Sequence, residues 1–192
     1  MKQIAATSKG PRARLTGAVY LLYFLTAVFA EFSIGRTPVV YSDAANLTAT
    51  ACYIAVTLLL YRLFEPVSKS VSLIAAFLSL AGCAIQTLSI FHLVPSRSPL
   101  MFFGLYCVLI GYLIFESTFL PRALGLLMVF AGLGWLVFLS PALAKYLSPY
   151  VEVLGVLAEV LLMLWLLVFG VNIRRWTERA VVAVARDHSA TT

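Results

Sequence analysis

The composition of this 192-residue chain excludes an ordinary soluble domain, because 62% of its residues are hydrophobic and only 11% are charged, whereas soluble domains carry about 25% charged residues. The net charge of +6 does not indicate a nucleic-acid-binding protein, since the basic residues flank apolar segments instead of forming one basic face. We therefore predict an all-α integral membrane protein that binds no nucleic acid and is surrounded by the lipid bilayer.

Six apolar stretches follow one another along the chain, each close to the length of about 17–25 residues that a helix needs to cross a bilayer. Polar or proline-containing connections separate them and are short enough to make neighbouring helices antiparallel. The sequence predicts a basic N-terminal segment at 1–14, a bundle of six transmembrane helices at 15–173 and a C-terminal tail at 174–192. The predicted spans are 15–34, 44–64, 71–94, 99–115, 123–139 and 150–173.

The basic residues indicate the orientation of this bundle. Only Arg36, Arg97 and Lys145 fall in the connections at one end, and the other lysines and arginines all fall at the opposite end. Because positively charged connections stay in the cytoplasm, we expect both termini to be cytoplasmic and the protein to lie in the cell membrane. Trp176, which follows two arginines, is expected to anchor the end of the last helix at the membrane interface.

A signal peptide is the alternative interpretation of the first span. A basic N-terminal region precedes an apolar run that ends in a small residue, Ala30, before Glu31, and this order is typical of a cleaved leader. Cleavage would leave five spans in the same orientation, so the remaining predictions do not depend on this choice.

Five polar residues in or beside the spans are candidate ligand-binding residues, because an ionisable side chain in hydrocarbon needs a partner, water or a function. Glu31, His92 and Glu152 are predicted near the outer ends of their helices, and Gln86 and Glu159 lie deeper. Glu159 follows Glu152 by seven residues, about 10 Å along nearly the same helix face. We expect all five to line one polar cavity in the outer half of the bundle.

Glu159 is the strongest of these candidates. Its side chain is too short to reach the surface from its predicted depth, so it must be protonated, paired or facing water. We expect it to face the first and third helices, with Gln86 or a tyrosine such as Tyr23 within hydrogen-bonding reach, and Gly155 to leave room beside it. Simpler interpretations stay open for the others: Glu31 and Glu152 solvated at the interface, His92 hydrogen-bonded there, and Gln86 bonded between helices.

Other patterns support a packed polytopic bundle. A polar stripe at helical spacing on the second helix is compatible with the cavity, and five glycines in the later helices would let backbones approach closely. The cysteines have no metal-binding spacing, and no nucleophile, metal or phosphate-binding motif is present, so we expect no metal and no cofactor. The stripe consists of Asn46, Thr50, Tyr53, Thr57 and Tyr61, and the glycines are Gly104, Gly111, Gly125, Gly132 and Gly155.

The order of short motifs resembles a family of small bacterial and archaeal membrane proteins, domain of unknown function 4386 (DUF4386). The resemblance implies a six-span fold in a prokaryotic membrane and no established activity. The chain departs from the family pattern at Ser79, where an arginine is expected, and at Ala158, where a glycine is expected. The motifs are ARLTGA at 13–18 with Tyr20, AEF at 30–32, LY at 60–61, PV at 66–67, GCAIQ at 82–86, GYLIF at 111–115, FLPR at 119–122, LG at 124–125, AGLG at 131–134, Glu159, LWLL at 164–167 and GV at 170–171.

Three functions remain open from the sequence. The first is a non-enzymatic membrane protein that binds a small ligand, an ion or a proton, with Glu159 and Gln86 as the deep contacts. The second is a membrane enzyme that acts on a lipid-soluble substrate with His92 and a carboxylate as acid and base. The third is a structural or regulatory partner of another membrane protein, which would use an exposed glycine-lined seam on the fourth or fifth helix.

Overall fold

A computed structural model describes residues 12–36, 38–94 and 99–189, except the side chains of 184 and 186–189. The described part is all-helical, and six of its helices are long and apolar enough to cross a membrane. The predicted six-span fold is therefore confirmed. The helices are α1 Ala13–Ser33, α2 Val39–Phe64, α3 Lys69–Ile90, α4 Pro99–Glu116, α5 Arg122–Trp135, α6 Pro141–Val168 and α7 Ile173–Ser189.

Proline and glycine set several of the helix ends. Pro99 and Pro141 are the first residues of α4 and α6, where a fixed φ suits the helix and the missing N–H has no partner to lose. Gly35 and Gly170, with φ of 70° and 68°, follow α1 and α6 in the left-handed region, which glycine adopts without a steric penalty. Because these residues begin or end the helices abruptly, the connections between helices are short.

The six membrane-spanning helices form a closed ring in chain order. Each packs against the next along the chain, and α6 packs back against α1. The alternating directions place the connections 65–68, 117–121 and 169–172 at one end, together with Arg62, Lys69 and Arg122. We call this the basic end, and the end at 34–36 and 136–140 the opposite end.

Two pairs of glycines bring α4 and α5 into backbone contact. A Cβ on Gly132 would lie 2.6 Å from the carbonyl oxygen of Gly104, and a Cβ on Gly111 would lie 2.7 Å from that of Gly125. Such distances leave no room for a side chain, so the predicted close approach of backbones at these four glycines is confirmed. The pairs are seven residues apart on both helices, which keeps them on one face of each.

Helix α6 begins nine residues before its predicted start. A 3₁₀ turn at Leu136–Leu139 follows α5, and Pro141 then opens a helix of 28 residues. Glu159 therefore lies about 27 Å from the start of α6 and about 13 Å from its end at the basic end, at 1.5 Å per residue. The prediction that Glu159 lies in the half of the bundle away from the basic end is wrong, because part of α6 was interpreted as a connection.

The segment predicted as a tail contains the amphipathic helix α7. The indole Nε1 of Trp176 donates a hydrogen bond to the carbonyl oxygen of Leu63 at 3.0 Å, and Arg175 donates one to that of Thr118 at 2.9 Å. Trp176 is only 7% exposed, so its indole is buried against the end of α2, and its predicted role as an anchor at the membrane interface stays a prediction. These bonds fasten α7 across the basic end.

We call the backbone contact between α4 and α5 at these four glycines the glycine seam. Because the seam has no room for a side chain, Gly132→Ala is expected to destabilise the protein. The added methyl group would overlap the backbone of Gly104, and overpacking of this kind typically costs about 1–3 kcal/mol. The unfolding midpoint in detergent is the measurement. Gly82→Ala is the matched control, because a Cβ there meets Phe102 at an ordinary 3.4 Å and alanine favours helix. Equal midpoints for the two variants would contradict the seam.

Candidate functional site

All six membrane-spanning helices line one cavity inside the ring. Its volume is about 480 Å³, within the range of about 300–1,000 Å³ typical of small-molecule sites. Carbon atoms form most of its wall, and a small number of polar side chains interrupt them. The polar residues that line it include Glu31, Asn46, Thr50, Ser79, Gln86 and Glu159.

Glu159 forms the floor of this cavity and is 4% exposed. The hydroxyl of Tyr20 on α1 donates a hydrogen bond to its Oε2 at 2.7 Å. Tyr20 is itself only 1% exposed, so the bond is shielded from solvent. The prediction that Glu159 faces the first helix is confirmed. The prediction of a tyrosine as its partner is also confirmed, but the tyrosine is Tyr20 instead of Tyr23, because Glu159 lies deeper than predicted and Tyr20 is about one turn deeper on α1 than Tyr23.

Glu159 has no counter-charge in the part of the chain that the structure describes. The ion pair found there is Arg174 with Glu178 on α7, at 3.2 Å and exposed to solvent. Ser79, where the family pattern predicts an arginine, carries a hydroxyl that lies 2.6 Å from the hydroxyl of Thr57 on α2. This position therefore carries no positive charge, and its hydroxyl group instead forms a hydrogen bond that links α3 to α2.

The predicted site consists of six residues, the five polar candidates and Tyr23, and the structure brings four of them together. Glu31, Tyr23 and Gln86 line the same cavity as Glu159. Glu31 is exposed and Gln86 is half-buried, so both belong to the part of the cavity nearer the opposite end. The polar stripe of α2 also contributes as predicted, through Asn46, Thr50 and Tyr53.

Two predicted site residues, His92 and Glu152, do not line the cavity. His92 is exposed in the turn after α3, with a φ of 59°. Glu152 is exposed on α6, about 10 Å from Glu159 along the axis and closer to the opposite end. Their prediction as cavity residues is wrong. A spacing of seven residues fixes the helix face, but it does not fix how far a cavity extends along that face.

An aromatic wall that the sequence did not predict runs through the cavity from α1 to α5. Its rings are those of Tyr23, Tyr53, Phe103 and Trp135, all of which line the cavity. Neighbouring ring centroids are 4.8 Å apart for Tyr23 and Tyr53, 5.7 Å for Tyr53 and Phe103, and 5.6 Å for Phe103 and Trp135. These distances are typical of aromatic pairs in contact, so the four rings form one continuous surface.

Gly155 makes room for this wall. A Cβ on Gly155 would lie 2.6 Å from Nε1 of Trp135, so the indole occupies the space that the missing side chain leaves. The sequence predicted open space at Gly155, and the structure fills it with Trp135. A glycine one turn before Glu159 was the available signal, but nothing in the sequence indicated which residue would enter.

Two polar groups of the wall have no partner within the described residues. The hydroxyl of Tyr53 and Nε1 of Trp135 are buried without a hydrogen bond, although their residues are only 6% and 8% exposed. Buried donors of this kind normally find a partner. Both residues line the cavity, but these two atoms are themselves enclosed by neighbouring groups.

Comparison with known proteins finds a family and a relative to which the chain is similar, and neither carries a described activity. The chain is 29% identical over 149 residues to an "Uncharacterized protein" of Archaeoglobus fulgidus, an alignment that covers 72% of this chain and 90% of the relative. No solved structure matches. Residues 97–170, which include α4, α5 and α6 with Glu159, match the family "Domain of unknown function (DUF4386)", the family that the sequence motifs predicted.

Proposed function

We propose that this protein is a non-enzymatic membrane protein that binds a small molecule in the cavity, with the carboxyl of Glu159 as its deepest contact. One observation carries the proposal. A buried carboxyl group lies at the floor of a cavity of about 480 Å³, and its hydrogen bond comes from a neutral tyrosine. An ionisable group in the membrane interior is costly to maintain, which favours a functional role over a purely structural one.

Gln86 is the second polar contact in this proposal. Its side chain lines the cavity from α3 and is half-buried, and an amide presents both a donor and an acceptor to a ligand. A few convergent polar groups in a mostly apolar pocket are the usual composition of a small-molecule site. Glu31 is a third polar contact at the mouth, where it meets solvent.

The two alternatives have less support. A membrane enzyme with His92 and a carboxylate as acid and base requires the two groups near each other, but His92 is exposed and outside the cavity that contains Glu159. A partner protein docked on a glycine seam requires exposed glycines on α4 or α5. The glycine pairs of those helices, Gly104 with Gly132 and Gly111 with Gly125, already face each other.

Access to the cavity is the first test of the proposal. In a variant without native cysteines (Cys52→Ala, Cys83→Ala, Cys107→Ala), Gln86→Cys should react with a small methanethiosulfonate reagent because residue 86 lines the cavity. The control retains Cys107 alone, which is fully buried and outside the cavity and reacts only through local opening. We expect modification of residue 86 to be at least about tenfold faster. Equal rates would contradict an accessible cavity.

The orientation proposed from the charge distribution has a separate test. Both termini are cytoplasmic in this proposal, so the mouth of the cavity beside Glu31 faces the outside of the cell. Single cysteines at Arg36 and Lys145, exposed at the opposite end, should react with an impermeant thiol reagent added to intact cells. Cysteines at Lys69 and Arg174, exposed at the basic end, should react only after lysis. The reverse pattern would overturn the orientation.

A further inference from the structure

We infer that the molecule bound by this cavity is an organic cation, a substituted ammonium group attached to an apolar body. This inference rests on the proposed function and names the class of its ligand. Two observations carry it together: a buried carboxyl without a counter-charge in the described part of the chain, and a continuous wall of four aromatic rings in the same cavity.

The charge of the ligand follows from Glu159. Its Oε2 accepts the hydrogen bond of Tyr20, and no other hydrogen bond to this carboxyl group is found among the described residues. An ionised carboxylate in an apolar interior is costly unless a positive charge compensates it, and opposite charges attract strongly where water is excluded. A cationic ligand supplies that compensation, whereas with a neutral ligand Glu159 must either be protonated or remain uncompensated.

The aromatic wall distinguishes an organic cation from a metal ion. Aromatic faces attract substituted ammonium groups within about 6 Å of the ring centroid, and several rings together form the typical recognition site for a quaternary ammonium. Hard metal ions instead require six or more oxygen ligands or a comparable cage. Within the described residues, no group of three or more His, Cys, Asp or Glu side chains is placed to hold one.

The apolar body of the ligand follows from the remaining lining. Phe24, Val28, Leu100 and Val156 line the cavity beside the aromatic residues and offer carbon surface without hydrogen-bonding groups. A small hydrated ion would gain nothing from contact with these side chains, whereas an apolar substituent gains free energy by leaving water. The cavity volume of about 480 Å³ is large enough for a molecule of drug-like size.

A pair of isosteric probes tests the inference. Benzyltrimethylammonium and neopentylbenzene differ only in that a quaternary carbon replaces the nitrogen, so their shapes match and their charges do not. Equilibrium dialysis of the purified protein, with equal detergent on both sides, measures the binding of each. We expect the cation to bind at least about tenfold more tightly, since this ratio corresponds to about 1.4 kcal/mol, within reach of a desolvated cation–π contact.

Substitutions in the cavity test whether the preference for the cationic probe arises there. Glu159→Gln should weaken binding of the cation by at least about tenfold, while Glu152→Gln, the same change on the exposed part of α6, should leave it unchanged. Phe103→Leu should weaken it by about threefold to tenfold and Phe103→Tyr should not, because tyrosine keeps the aromatic face. If Glu159→Gln fails to fold, the comparison of Phe103→Leu with Phe103→Tyr tests the inference without it.

The outcomes separate this inference from the proposed function. Equal affinities for the two probes, or no binding of either while Gln86→Cys remains reactive, overturn the organic cation and leave a cavity for another small molecule. Preferential binding of the cation that survives both Glu159→Gln and Phe103→Leu also overturns the inference, because the cation then binds elsewhere. An unreactive Gln86→Cys overturns the proposed function itself.

Discussion

One carboxyl group in an apolar ring of helices is the constraint on which the rest of the structure depends. Glu159 lies in the half of the bundle nearer the basic end, and its hydrogen-bond partner is the hydroxyl of Tyr20 at 2.7 Å. This bond joins α6, the last helix of the ring, to α1, the first, and so links the two ends of the helical sequence. Because both residues are almost fully buried, each one satisfies a polar atom of the other.

Around this pair, regions where helix backbones touch lie next to open space. At the basic end, Gly17 of α1 approaches the backbone of Leu167 on α6, while α4 and α5 meet at their glycine pairs. Between these contacts the ring encloses the cavity, and Gly155 admits the indole of Trp135 as part of its wall. Small residues therefore act twice in this fold. They bring backbones together in one place and give room to an aromatic ring in another.

The sequence predicts the helical fold well and the site only in part, for physical reasons. Hydropathy is a property of each span alone, so six spans were predictable, and the depth of Glu159 made its burial predictable too. Its partner depended on where α6 begins, and Lys145 near that start resembled a connection. The aromatic wall was not predictable, because Phe103 and Trp135 suit lipid and interior equally. His92 was misplaced, since a residue near a helix end faces either a cavity or solvent.

The central claim is that the pair Tyr20 and Glu159 is retained for the chemistry of the cavity and not for folding. A double-mutant cycle on the free energy of unfolding tests it most directly. Glu159→Leu alone should cost about 1–3 kcal/mol, because it leaves the buried hydroxyl of Tyr20 without a partner. Adding Tyr20→Phe should restore nearly the original stability, since both polar groups are then gone. A double variant that remains as unstable as Glu159→Leu, or becomes less stable, would contradict the claim and make the pair structural.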